Sequence, residues 1–125
     1  MSNKIHLSWN EYLKLIDKLC EKIKKSGIYF TAIIGIPRGG MIPAVILSHK
    51  LEMECVSYIP KNGTVLLVDE IIDTGNTLKE KFKSFSISNA KIYTATIFKN
   101  KKCKIKPNFY VEEVKNWVVF PYETK

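Results

Sequence analysis

Apolar residues recur at three- and four-residue spacing near the start of the chain, which is the pattern of an amphipathic helix. Ser8 followed three residues later by Glu11 is typical of a capping box, in which each side chain bonds a free amide of the first turn. Lysines and then Gly27 close the segment, as cations and glycine often do at helix ends. The pattern predicts a first helix over residues 9–25 with this buried stripe: Tyr12, Leu15, Ile16, Leu19, Cys20 and Ile23.

Short apolar runs rich in β-branched residues follow, and they predict strands that are buried on both faces. The runs are YFTAIIGI (29–36), MECVSYI (53–59), TVLLV (64–68), KIYTATIF (91–98) and the shorter FYVEEV (109–114) and WVVF (117–120). Helices are predicted between them at 41–51 and 76–85, and PKNG (60–63) predicts a turn. Strands that alternate with helices indicate an α/β protein with a parallel sheet.

Length and composition limit the kind of protein. A chain of 125 residues is expected to form a single domain. No apolar run approaches the roughly 18 residues of a membrane span, and the N-terminus lacks the apolar region of a secretory signal, so we expect a soluble cytoplasmic protein with no membrane partner. The three cysteines are widely separated and show neither metal-ligand spacing nor a disulfide framework.

The net charge of +8 is compatible with anionic partners but does not single out nucleic acid. The densest basic stretch is KNKKCKIKP (99–107), where no aromatic residues alternate with the lysines. We therefore interpret this stretch as a solvated loop rather than a nucleic-acid site.

The segment VLLVDEIIDTGNTL (65–78) holds two of the three aspartates in the chain. If a strand precedes the acids and a helix begins near Asn76, the amides of residues 74–77 and two threonine hydroxyls form an anion site suited to phosphate. Asp69 and Glu70 only accept hydrogen bonds when ionised, so they need sugar hydroxyls or a divalent cation opposite them. Together these groups predict a site for a phosphorylated ribose.

Two other interpretations of this segment explain less of it. A Walker B segment also ends an apolar strand with acids, but no GxxxxGK[ST] loop occurs in the chain, which argues against a nucleoside triphosphatase. A capped helix accounts for Asp73 and Thr74 near a helix N-terminus, but it does not account for the acidic pair before them.

A second unusual loop, GIPRGGMIP (35–43), contains the only arginine among twenty basic residues. GIPRGGMIPAVILSHKL (35–51) resembles the pyrophosphate loop and following helix of type I phosphoribosyltransferases. The acidic segment 65–78 resembles the signature with which that family binds 5-phosphoribosyl 1-pyrophosphate (PRPP). WVVFPYE (117–123) resembles the base-binding hood of the family's xanthine-guanine branch, so the resemblance covers essentially the whole chain.

The resemblance implies a Rossmann-like parallel-sheet fold with helices on both faces. One domain spans residues 1–125, with a core over about 27–98 and a small hood formed by the N-terminal and C-terminal segments. The implied reaction transfers the 5-phosphoribosyl group from PRPP to a 6-oxopurine (guanine, hypoxanthine or xanthine), with Mg²⁺ as cofactor. The products are a nucleoside monophosphate and pyrophosphate.

The same resemblance assigns the groups that hold PRPP. Asp69 and Glu70 would hold the ribose 2- and 3-hydroxyls, directly or through Mg²⁺, and Glu123 is either a ligand of a second metal or a surface acid. The 5-phosphate would be bound by Thr74, Gly75, Asn76 and Thr77.

The departing pyrophosphate would be bound by Arg38 and by the amides of Gly39 and Gly40. Arginine suits this task because its planar, permanently charged group matches phosphate oxygens. The resemblance also implies a non-proline cis peptide bond between Pro37 and Arg38.

On the base side, Asp73 would accept the N7 proton as N9 attacks, or hydrogen-bond N7. Trp117 would stack on the purine, although a core position is an equal alternative for an isolated tryptophan, and backbone groups of Val118 would meet the base edge. The 6-oxo group needs a donor, for which Lys99 is the first candidate and Lys101 the alternative.

One feature departs from the resembling family, whose members usually carry a long flexible loop before the PRPP-binding strand. Here that connection is reduced to about PKNG (60–63), which is too short to close over reactants and exclude water. The alternative function is therefore a catalytically weak regulatory protein that binds PRPP or a nucleotide. The resemblance also implies a homodimer or higher homo-oligomer.

Overall fold

The computed structural model describes residues 4–123. In chain order its elements are β1 (Ile5–His6), α1 (Trp9–Lys25), β2 (Ala32–Gly35), α2 (Met41–Leu51), β3 (Cys55–Val56), β4 (Thr64–Ile72), α3 (Asn76–Ser84), β5 (Lys91–Asn100), β6 (Phe109–Val114) and β7 (Val118–Val119). A 3₁₀ turn, Phe85–Ile87, follows α3. Within the described range, no helix is long and apolar enough to cross a membrane.

Five of the strands form one sheet in the order β3-β2-β4-β5-β6, and every pair in it is parallel. The predicted parallel α/β architecture is thus confirmed. β1 and β7 form a separate two-stranded sheet, which brings the N-terminal and C-terminal segments together.

Helices cover both faces of the main sheet, as expected. Successive side chains of a strand point to opposite faces, and β4 follows this rule. Leu66 and Val68 belong to the core cluster that α1 and α2 bury. Val65 and Leu67 belong to a second cluster, which includes Leu78 of α3.

The predicted helices are confirmed with small differences in length. Helix α1 spans the predicted residues, buries the predicted stripe, and has both hydrogen bonds of the capping box between Ser8 and Glu11. Helix α2 also has the predicted bounds, and α3 is one residue shorter than predicted, ending at Ser84.

The strands differ more from the sequence prediction. β4 does not end at Val68 but continues through Ile72, because β5 pairs with it as far as Ile72 opposite Lys99. β3 at the sheet edge has two residues instead of the predicted seven, and it pairs with β2 alone. β1 was not predicted, because two residues are too few to show a periodicity.

Candidate functional site

A cavity of about 520 Å³ opens at the carboxyl ends of β2, β4 and β5. Ligands of open α/β sheets bind at such an edge, because the loops that follow adjacent parallel strands meet there. The cavity is lined by the loop after β2, the end of β4, the start of α3, the end of β5 and the segment that contains β7. Arg38 and the acidic pair Asp69 and Glu70 therefore face one shared hollow, as the sequence predicted.

The two acids lie within β4 rather than in a turn after it, which corrects the sequence prediction. The Glu70 amide donates to Asp69 Oδ1 at 2.8 Å. Burial raises the pKa of the Asp69 carboxyl to about 7, although the Glu70 amide opposes the shift; the nearby Glu70 charge adds to it. A carboxyl in this state gains from a cation or hydroxyl donors placed against it.

The Glu70 carboxylate contacts two parts of the chain that are far from it in sequence, Tyr122 and the loop after β2. The Tyr122 hydroxyl donates to Glu70 Oε2. A methyl group at Gly39 would overlap the Glu70 carboxylate, so the carboxylate lies directly against the loop after β2. Burial raises the pKa of Glu70, while the hydrogen bond from Tyr122 lowers it. Tyr122 escaped the sequence analysis because its contact with Glu70 depends entirely on the tertiary fold.

The loop between β4 and α3, where the sequence predicted an anion site, forms part of the cavity wall. Gly75 adopts a left-handed conformation with φ of 88°, which favours glycine, and α3 begins at the next residue. Thr74, Gly75 and Thr77 line the cavity. Asn76 does not line it, and its amide bonds the Thr74 hydroxyl at 3.2 Å.

Of the three residues predicted to bind pyrophosphate in the loop after β2, two line the cavity. Arg38 and Gly39 line the cavity, and the peptide bond between Pro37 and Arg38 is cis. Gly40 does not line the cavity, because its amide donates to the Ile36 carbonyl at 2.9 Å and the residue packs against the backbone of β4.

Another part of the cavity wall is formed by the chain after β6. Trp117 is 63% exposed, so it is not a core aromatic residue. Val118 lines the cavity beside it, as do Lys115 and Asn116, which the sequence analysis did not single out.

Lys99 does not reach the cavity, contrary to the sequence expectation. Its side chain is 7% exposed, and its ammonium donates to the Asn100 carbonyl at 3.2 Å and lies 3.5 Å from Glu113 Oε2. Lys101 is also outside the cavity. The residue between them, Asn100, lines the cavity and donates from Nδ2 to Asp73 Oδ1 at 2.7 Å. Its position at the carboxyl end of β5 is the signal that could have identified it.

The residues present fit a magnesium ion that is shared with a substrate. Within residues 4–123, no group of three or more His, Cys, Asp or Glu side chains is arranged to hold a metal. Mg²⁺ is usually held by one or two carboxylates together with substrate oxygens and water, and Asp69 and Glu70 supply such a pair. Glu123 also lines the cavity, but its Oε1 accepts the Phe120 amide at 2.8 Å.

Comparison with known protein families adds an independent finding. A family model described as the phosphoribosyl transferase domain matches residues 56–125. Two curated relatives are named xanthine-guanine phosphoribosyltransferase. The protein from Desulfotalea psychrophila is 28% identical over 78% of this chain and 72% of its own. The protein from Cereibacter sphaeroides is 22% identical over 94% of this chain and 86% of its own.

Solved structures agree with the fold. A purine phosphoribosyltransferase from Pyrococcus horikoshii superposes with a TM-score of 0.85 and 31% identity, over 98% of this chain and 95% of that one. The xanthine-guanine-hypoxanthine phosphoribosyltransferase of Helicobacter pylori gives a TM-score of 0.87 at 24% identity, with the same coverage. A Neisseria gonorrhoeae protein with bound ppGpp gives 0.86 at 24% identity, over 98% of this chain and 90% of that one.

Proposed function

Because the chain belongs to the phosphoribosyltransferase family, we propose that it transfers the 5-phosphoribosyl group from PRPP to a 6-oxopurine base. The products are a nucleoside monophosphate and pyrophosphate, as in purine salvage. The observation that carries the proposal is the single cavity shared by Arg38, the acidic pair of β4 and the loop that begins α3. These groups match the three parts of PRPP: pyrophosphate, ribose diol and 5-phosphate.

PRPP would lie across the carboxyl ends of β2 and β4. Its ribose hydroxyls would face Asp69 and Glu70. The 5-phosphate would take the amides of Gly75 and Thr77 and the hydroxyls of Thr74 and Thr77, which all belong to residues that line the cavity. Gly75 lets the backbone approach the phosphate closely. When bound, Mg²⁺ would supply positive charge against the pyrophosphate; Asp69 and Glu70 would hold it, and Glu123 is a candidate ligand for a second ion.

The reaction needs no protein nucleophile. The bond between ribose C1 and the pyrophosphate oxygen breaks as base N9 bonds to C1, and the departing pyrophosphate gains negative charge. Arg38 would stabilise that charge, with the Gly39 amide beside it. The clamped ribose keeps C1 aligned with N9, and Asp73 would accept the proton that the base loses from N7.

The base would occupy the part of the cavity that Trp117 and Val118 line. Trp117 offers an exposed ring for stacking, and the backbone of Val118 lies next to it at the base edge. The names of the curated relatives support a purine with oxygen at position 6.

A direct assay tests the proposal. Purified protein with Mg²⁺ and PRPP should release pyrophosphate when guanine, hypoxanthine or xanthine is added. Arg38→Ala should lower the rate about a hundredfold or more, because it removes a charge aimed at the leaving group. Lys18→Ala, which removes an exposed charge from α1, is the matched control. PRPP binding without pyrophosphate release from any base would refute the enzymatic function.

A second candidate function is a regulatory protein of the same fold that binds PRPP or a nucleotide with weak catalysis. The connection between β3 and β4 covers only residues 57–63, so it supplies no long flexible cover for the site. The related Neisseria gonorrhoeae structure was determined with ppGpp bound. Tight nucleotide binding together with absent turnover would favour this candidate, and a salt-sensitive RNA complex would extend it to RNA.

We also propose that the protein is cytoplasmic and forms a homodimer or higher homo-oligomer, without a membrane partner. Analytical ultracentrifugation of the purified protein tests the assembly, and a single monomeric species at micromolar concentration would contradict it.

A further inference from the structure

The side chain of Asn100 is fixed in one orientation at the edge of the cavity. Its Nδ2 donates to Asp73 Oδ1 at 2.7 Å, and its Oδ1 accepts the Lys102 amide at 2.9 Å. A carboxylate can only accept and a backbone amide can only donate. The two neighbours therefore allow one assignment of the amide oxygen and nitrogen, and the opposite assignment would break both hydrogen bonds.

The fixed amide leaves one donor free for a ligand. An asparagine Nδ2 carries two hydrogens, and the contact with Asp73 uses one of them. The Asp73 carboxylate keeps further lone pairs for a second donor. Asp73 and Asn100 both line the cavity, so they present an acceptor and a donor side by side.

We propose that Asn100 is a specificity-determining residue that selects 6-oxopurines by donating to O6 while Asp73 accepts the N7 proton. This inference rests on the proposed function and names the group that would recognise the base. A free 6-oxopurine presents N7–H beside an oxygen, which complements an acceptor beside a donor. Adenine presents an amino group at position 6, which would oppose the Asn100 donor with another donor.

Asn100 can discriminate between bases only by the group that they carry at position 6. Guanine, hypoxanthine and xanthine share the N7–H and O6 edge, so the Asn100 donor would not distinguish among them. It would distinguish all three from adenine. Lys99 cannot take this role in the observed arrangement, since Glu113 and the Asn100 carbonyl hold its ammonium away from the cavity.

Two substitutions separate the donor from the fold of the turn. Asn100→Ala removes the donor and the acceptor. Asn100→Asp keeps an oxygen for the Lys102 amide but replaces the donor with an acceptor. Lys102→Ala removes an exposed side chain and keeps the amide, so it serves as the control. Thermal unfolding of each variant shows whether it remains folded.

The measurements are kcat/KM for hypoxanthine and adenine, the KM for PRPP, and the dissociation constants of IMP and AMP by calorimetry. For hypoxanthine we expect kcat/KM to fall about tenfold to a hundredfold in both Asn100 variants, as when one base-edge hydrogen bond is lost. In Asn100→Ala the value for adenine should not fall, whereas Asn100→Asp places a second carboxylate against Asp73 and can lower it. The KM for PRPP should stay within about twofold, since Asn100 would not touch PRPP. O6 is present in the base and in the nucleotide alike. The preference for IMP over AMP should therefore shrink in the Asn100 variants, together with kcat/KM for hypoxanthine.

Several results would overturn the proposal. Equal losses with hypoxanthine and adenine would mean that Asn100 only shapes the turn. Loss of the oxopurine preference in Lys115→Met but not in the Asn100 variants would assign the donor to Lys115, which also lines the cavity. If the wild-type protein turns over no base, the proposed enzymatic function fails, and the IMP and AMP affinities test Asn100 separately. A wild-type protein without a preference for IMP would also contradict the assignment.

Discussion

The two neighbouring glycines of the loop after β2 should respond differently to the same methyl group. A Cβ at Gly40 would lie 2.6 Å from the carbonyl oxygens of Ile36 and Val68, and 2.9 Å from Asp69 Cα. Its φ of −71° suits any residue, so the problem is space and not backbone conformation. Because the obstructing atoms belong to the backbone, relief requires the loop to move away from β4.

At Gly39 the three atoms nearest to the methyl group all belong to the Glu70 carboxylate. That group is the far end of a flexible side chain, which can rotate into the cavity and away from Tyr122. Gly39→Ala should therefore cost little stability but displace a proposed ligand of the ribose hydroxyls.

The expected magnitudes are different enough to measure. Overpacking against rigid atoms typically costs about 1–3 kcal/mol, so Gly40→Ala should lower Tm by roughly 4–15 °C. Gly39→Ala should lower Tm by no more than about 4 °C, because it loses at most the hydrogen bond from Tyr122 to Glu70, worth about 1 kcal/mol. Loss of a hydrogen bond to a charged group is worth about 1.5–3 kcal/mol, so Gly39→Ala should weaken PRPP binding about tenfold or more.

Differential scanning calorimetry and calorimetric PRPP titration measure the two effects. Glu70→Ala removes the obstructing carboxylate, so adding Gly39→Ala to that variant should cost no further PRPP affinity. An additive loss in the double variant would show that Gly39 acts without Glu70. Equal destabilisation by the two glycine substitutions would refute the distinction between backbone and side-chain obstruction.

Three further substitutions test other parts of the structure. Asp73→Asn keeps an oxygen for Asn100 but removes the proposed proton acceptor, so kcat should fall about a hundredfold or more while the PRPP affinity stays nearly unchanged. If steady-state kinetics show that kcat and PRPP affinity fall together, Asp73 does not act on the base. Tyr122→Phe leaves Glu70 without its donor and should lower stability by about 1 kcal/mol in urea unfolding, and an unchanged midpoint would show that the contact is not stabilising. Ser8→Ala should also cost about 1 kcal/mol, measured in the same way, because it removes the N-cap of α1, and no change would mean that the cap is dispensable.

The parts of the fold that could be predicted are those with strong local signals. Helix α1 has a capping box and a long apolar stripe, and both of its bounds were predicted correctly. The parallel order of the sheet follows from the alternation of strands and helices. The length of β4 has no such local signal, because its last four residues are in the strand only through pairing with β5. Acids are unusual in a strand, so the sequence favoured a turn at that point.

It could also be predicted that Arg38 and the acidic pair of β4 would line one cavity. Residues that follow neighbouring parallel strands reach the same sheet edge whatever the details of their loops. The contacts inside the cavity could not be predicted in this way. Tyr122 is fifty-two positions from Glu70, and nothing local to either residue indicates that they meet.

The direction of the Lys99 side chain is a second feature that could not be predicted from the sequence. Adjacent side chains of a strand point to opposite faces of the sheet. Of the two neighbours Lys99 and Asn100, therefore, only one can point towards the cavity and donate to the base. That direction is set by the register of β5 with its neighbours, where Lys99 lies between Ile72 and Glu113. Glu113 provides the nearby carboxylate that a nearly buried ammonium requires, and it does so from β6, outside the cavity. A charged donor was expected at the end of β5, and the fold instead presents the neutral amide of Asn100 to the cavity.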